Sequence, residues 1–180
     1  MSAREDILER AGAALLALAA EREWREISLR DIAEKAGVGM GELYPLADGR
    51  LAVLAALSAR FDAVALAAAT ETSADIHDRL FEAAMARIEA MEPHRDALIA
   101  IARSAGPLIL APHLPRTARS ILEAAGVNAT PPRLAAMTAV WARAARVWRD
   151  DEGALNRTMA EIDLRLKQMR RRLKMVRAGF

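Results

Sequence analysis

The chain has 180 residues, 26 basic and 24 acidic side chains, and a 53% hydrophobic composition, which excludes wholesale disorder and is ample for a buried core. Alanine (42) and leucine (22) far outnumber valine, isoleucine and threonine combined (23), so composition favours helix over sheet and the fold class is expected to be all-α. Cysteine is absent, which excludes disulfides, thiolate zinc sites and cysteine nucleophiles, and the longest uninterrupted apolar run, residues 11–20, falls well short of the ~20 residues of a membrane span. Glu5 and Asp6 bring acids where a signal peptide would be basic, so nothing predicts export and a cytoplasmic location is expected.

The first helix is predicted over residues 2–21, with Ser2 as N-cap, because Ile7, Leu8, Ala11, Ala14, Leu15 and Leu18 recur at three-four spacing. Ser28 is placed to cap a second, short helix carrying Leu29, Ile32, Ala33 and Ala36, and Gly37 is its natural stop. Val38 and Gly39 lead into a third short segment, Met40-Gly41-Glu42-Leu43-Tyr44, which Pro45 should shorten or end by removing a backbone donor. Two short helices across a glycine turn, following a longer one, are the ingredients of a helix-turn-helix.

These residues carry a resemblance. Residues 7–54 resemble the DNA-binding domain of the TetR family of bacterial repressors. The run Ser28-Leu29-Arg30-Asp31-Ile32-Ala33-Glu34-Lys35-Ala36-Gly37-Val38 follows the family's second helix and turn. Gly41, Leu43 and Tyr44 stand at its recognition-helix positions, and Arg50 stands where a lysine usually opens helix four. The resemblance implies a TetR-like architecture: a three-helix helix-turn-helix domain over residues 1–48, followed by a helical effector-binding and dimerisation domain over residues 49–180. It further implies a double-stranded DNA operator, a small-molecule effector and a repressor's activity. Ser28, Arg30, Tyr44 and Arg50 would then position phosphates, while Gly39 opens the segment that presents Met40, Gly41 and Glu42 to base edges.

The sequence departs from the family where an aromatic or histidine pair usually follows the recognition helix; Leu46 and Ala47 stand there instead. Residues 1–70 also hold 8 basic against 11 acidic side chains, an unfavourable balance for the electrostatic term that dominates DNA affinity.

Beyond this unit a long helix is predicted over residues 51–70, carrying Val53, Leu54, Leu57, Phe61, Val64 and Leu66. A break at Thr72 to Asp75 precedes a helix carrying Ile76, Leu80, Ala83, Ala84, Arg87, Ile88 and Met91. Another is predicted over residues 93–104, then a proline-broken stretch to Pro115, a helix over residues 117–125 stopped by Gly126, and a helix over residues 132–149 with Leu134, Met137, Trp141 and Trp148 on one face. The last helix presents Leu155, Met159, Ile162, Leu166, Met169, Leu173 and Val176, a heptad seam. Such a seam serves either a homodimer through the last two helices, as the TetR resemblance implies, or the chain's own core.

The second half also resembles, in element order and in Trp148-Arg149-Asp150-Asp151 followed by Leu155, Thr158 and Met159, the coenzyme Q biosynthesis lipid-binding proteins that share this fold. That resemblance implies the alternative of a lipid- or quinone-binding accessory protein that has lost DNA binding. Residues 164–180 hold seven basic side chains and no acid; this tail is open to three readings, a solvated helix end, peripheral membrane contact, or DNA contact.

No enzyme is expected. His77, His94 and His113 lie on separate elements without metal-ligand spacing, and neither a metal nor a cofactor is implied. The candidates to line an apolar effector pocket are His94, Leu108, His113, Met137 and Trp141.

Overall fold

The structure is a computed structural model that describes residues 2–68, 75–106, 109, 111–151 and 153–177, with side chains described through Arg172. Among them there is no strand. The helices are α1 (Ala3–Glu21), α2 (Leu29–Ala36), α3 (Met40–Leu43), α4 (Arg50–Ala68), α5 (Ile76–Met91), α6 (Arg95–Ala105), α7 (Leu114–Ala124), α8 (Pro131–Arg149) and α9 (Asn156–Arg177), with short 3-10 turns at Trp24–Glu26, Glu92–His94 and Ala111–His113. The chain forms two compact units: Met1–Arg60 with His94–Ala111, and Phe61–Pro93 with Pro112–Phe180. The sequence boundary expected at residue 48 thus falls inside the first unit.

In the first unit α1 packs against α2, α3 and α6. Ser2 caps α1: its hydroxyl accepts the Glu5 backbone N–H at 3.3 Å, while the Glu5 carboxylate accepts the Ser2 N–H at 2.7 Å. Ala11, Leu15 and Leu18 are buried, as their spacing requires. Gly12 faces α4, where a Cβ would lie 3.4 Å from Leu57 Cδ1, in van der Waals contact. Ile27, Ile32, Leu43 and Val53 are fully buried and complete this core.

Helix α4 begins in the first unit and ends in the second. An 18-residue window of this 19-residue helix is apolar enough to cross a membrane, with mean hydropathy 1.8, a property that uninterrupted runs do not reveal. Here it serves as a core helix, burying Val53, Leu54, Leu57, Phe61 and Ala65 and carrying the buried charge of Asp62.

In the second unit α5 packs on α7 and α9, and α8 packs on both α7 and α9. Helix α7 starts at Leu114, earlier than predicted, because Pro115 sits in its first turn, where the missing N–H costs nothing. Met137, Trp141 and Trp148 are buried on α8, the face their spacing predicts.

The α9 seam differs from expectation. Ile162, Leu166 and Met169 are buried, and α9 packs on the same chain's α5 and α8. Met159 is 41% exposed and Thr158 takes the inward position. The reason is the start of the helix: buried Asp151 accepts the Thr158 N–H at 2.8 Å and its hydroxyl at 2.7 Å, which turns Thr158 inward. Burial acts to raise the Asp151 pKa, but these two bonds outweigh it and hold the carboxyl below its ordinary value. Leu155 lies before the helix at φ +54°, and the side chains of Leu173 and Val176 lie outside the described residues.

Gly37 is the position where backbone conformation decides the residue type. It closes α2 at φ +62°, its N–H donates to Glu34 O at 3.1 Å, and Val38 N–H donates back to Ala33 O at 3.0 Å. A Cβ there would be strained and would lie 3.2 Å from an Arg10 guanidinium nitrogen. Gly37→Ala is expected to lower the urea midpoint with an unchanged slope, a loss of about 1 kcal/mol; an unchanged midpoint would contradict this account of the turn.

Candidate functional site

The helix-turn-helix is held by its own polar side chains. Ser28 caps α2, accepting the Asp31 N–H at 3.1 Å, while the Asp31 carboxylate accepts the Ser28 N–H at 2.8 Å. The Ser28 hydroxyl and backbone bonds, with Arg22 3.6 Å away, hold the Asp31 carboxyl below its usual value. Gly39 opens α3, and its N–H donates to the Glu42 carboxylate at 3.0 Å. A Cβ on residue 39 would meet that carboxylate at 2.9 Å, a contact the flexible Glu42 side chain can relieve by shifting. Helix α3 ends at Leu43 before Pro45, as the proline predicts.

Two arginines are committed to backbone carbonyls. Arg10 donates to Ala36 O at 2.7 and 3.1 Å and to Gly37 O at 2.6 Å, so it caps the C-terminal end of α2. Arg50 donates from one guanidinium nitrogen to Trp24 O at 2.8 Å, Arg25 O at 3.1 Å and Ile27 O at 2.7 Å, and its guanidinium lies 5.1 Å from the Trp24 ring centroid. The sequence assigns Arg50 to phosphate; the structure turns it inward as the clasp that ties the α1–α2 connection to the start of α4. Ser28 and Glu42, likewise expected to face DNA, spend polar atoms on helix caps.

Arg30, Gly41 and Tyr44 are exposed, and Met40 is half-buried. Tyr44 is 58% exposed, a high value for an aromatic side chain. Among the described residues the Arg30 side chain makes no hydrogen bond or ion pair. Arg22, Arg25 and Lys35 pair with Asp31, Glu23 and Glu21 at 3.6, 2.8 and 3.5 Å on the surface. Exposed pairs of this kind are worth little and release their cations to a phosphate at small cost, unlike the Arg50 clasp.

The expected effector-pocket residues separate. Met137 and Trp141 are buried on α8, and His113 is half-buried at the head of α7, all in the second unit. His94 is exposed and belongs to the first unit; Leu108 lies outside the described residues.

A buried polar cluster in the second unit is what the sequence reading missed. Asp62 on α4 and Arg87 on α5 are 5% and 4% exposed. Arg87 Nε donates to Asp62 Oδ1 at 2.7 Å, and Thr117 Oγ1 of α7 donates to the same oxygen at 2.9 Å. The Arg87 guanidinium stacks 4.8 Å from the Trp141 centroid and 5.8 Å from that of Phe61, and another of its nitrogens lies 2.7 Å from Met91 Sδ. Asp62 Oδ2 is buried with no hydrogen-bond partner. Burial pushes the Arg87 pKa down and Asp62 opposes the shift. Burial, Arg116 and Arg87 act to lower the pKa of His113 while Asp62 acts to raise it, and the net shift is downward. The available signal was Arg87 itself, a charged residue at an apolar position of the α5 stripe.

No family model matches the chain, and the search of curated proteins finds no match. Among solved structures the chain is similar to a TetR transcriptional regulator from Rhodococcus sp. RHA1, with a TM-score of 0.67 and 16% identity, covering 93% of this chain and 97% of that one. At that identity the likeness is one of fold: the chain has an all-α, TetR-like fold.

The two arginine environments separate experimentally. Arg50→Ala is expected to cost about 1.5–3 kcal/mol of stability, since it strips charged donors from three carbonyls, whereas Arg30→Ala should stay within about 0.5 kcal/mol of the parent. Thermal unfolding of both variants checks this; equal midpoints would contradict the clasp.

Proposed function

We propose that the protein is a DNA-binding transcriptional regulator of TetR type, acting as a repressor whose second unit binds a small effector. The observation that carries this reading is a fold likeness that extends over nearly the whole of both chains, in a chain whose α2 and α3 are two short helices joined across Gly37. The proposed DNA face is Arg30, Met40, Gly41 and Tyr44, with Arg22, Arg25 and Lys35 released from surface pairs to phosphate. Arg50, Ser28 and Glu42 shape that face and do not read it. The repressor works as a homodimer through α8 and α9, with exposed Met159 and Leu164 of α9 contributing apolar surface. Effector binding changes the spacing of the two recognition segments and so weakens affinity for paired half-sites.

One observation favours a second reading. Residues 1–48 carry ten carboxylates against six basic side chains, a charge that phosphate repels. On that reading the protein is the lipid- or quinone-holding accessory protein, and the basic tail meets an anionic bilayer surface.

A genome-wide DNA pull-down at low salt decides between the two. The regulator reading predicts a recovered palindrome, affinity lost with Tyr44→Ala, and a salt dependence of log K that becomes shallower by about one unit per protomer in Arg30→Ala. No sequence preference, together with sedimentation on anionic vesicles that needs the last 15 residues, would contradict it.

A further inference from the structure

The Asp62 cluster is built for more than packing. A carboxylate accepts hydrogen bonds at both oxygens, yet Arg87 and Thr117 both donate to Oδ1, leaving Oδ2 buried without a donor. Leaving such an acceptor unmade is costly, and a second donor is the remedy chemistry offers. Its character follows from charge. Arg87 already neutralises Asp62, so a cation entering beside Oδ2 would leave the buried site with net positive charge in a low-dielectric interior. A neutral O–H or N–H satisfies the oxygen without that penalty. The surroundings set the rest of the molecule: Trp141 is 3% exposed and Met91 9%, an indole and a thioether that suit an apolar body.

We propose that Asp62 Oδ2 is the polar anchor of a small-molecule site in the second unit, which takes neutral, largely apolar compounds bearing a single hydroxyl or N–H donor, with Arg87 and Thr117 holding the carboxylate and Trp141 supplying an aromatic wall. This deepens the regulator reading by naming the chemical class of its effector. Because the site is buried, the ligand enters by a local opening of the second unit, and it displaces at most a water from Oδ2.

The test uses the full-length protein without DNA and matched probes that differ only in the donor: phenol against anisole, indole against 1-methylindole, and 1-naphthol against 1-methoxynaphthalene. By titration calorimetry up to millimolar concentrations, the donor-bearing member of each pair is expected to bind at least tenfold more tightly. Asp62→Asn, which places a donor where the acceptor was, should shrink that preference below threefold. Arg119→Ala, a change at an exposed position of α7 outside the cluster, should keep it. Nuclear Overhauser contacts from the bound naphthol ring to the Met91 methyl group place the probe in the parent protein, independent of any variant's folding. Equal affinities within each pair, no binding by any donor-bearing probe, an undiminished preference in Asp62→Asn, or no contact to Met91 would each overturn the proposal. Operator binding without donor preference would strike this site alone, and donor preference without operator binding would strike the regulator reading alone.

Discussion

The second unit depends on one buried ion pair. Asp62 and Arg87 come from α4 and α5, and Thr117 of α7 and the Trp141 ring of α8 close around them. Removing two charges from water is expensive, and the attraction between them repays it only when geometry and additional hydrogen bonds are good. Here the guanidinium has a carboxylate at 2.7 Å and an aromatic face at 4.8 Å. The four helices that supply these groups can meet only in the register that brings them together, which an apolar core alone would specify less sharply.

The first unit uses arginine differently. Arg10 and Arg50 donate to backbone carbonyls, one at the end of α2 and the other between α1 and α2. Each fixes a helix connection, Arg10 from an exposed position and Arg50 from a half-buried one. A helix-turn-helix assembled in this way keeps its shape while holding few committed phosphate contacts, and what it presents outward is Arg30 and Tyr44 beside the open backbone at Gly41. Shape and the surface pairs that can be released therefore bear more of the proposed DNA contact than a strong positive field does.

Much of this was legible in the sequence. Ser2, Ser28 and Gly37 act locally, through a cap or a backbone conformation, and local signals survive in sequence. The α8 face of Met137, Trp141 and Trp148 follows from spacing alone. Partner choice does not. Arg50 looks the same in sequence whether it meets phosphate or the Ile27 carbonyl, and the difference is set by how the chain folds back over 23 residues. The α9 seam shows the same limit: heptad spacing named Ile162, Leu166 and Met169 as apolar contacts, while the Asp151 cap, set by three-dimensional closure, turned Thr158 inward and Met159 outward. Asp62 escaped notice because nothing near it in the chain pairs with it; its partners lie 25 and 55 residues away.

The most direct test of this account is a double-mutant cycle on the pair, with Asp62→Leu, Arg87→Met and the two combined, followed by denaturant unfolding. Each single change strands a buried charge and is predicted to cost roughly 3–5 kcal/mol, while the combined change should cost far less than the sum. Additive losses would mean that the two side chains do not act as one unit, and would contradict the central place given to the pair.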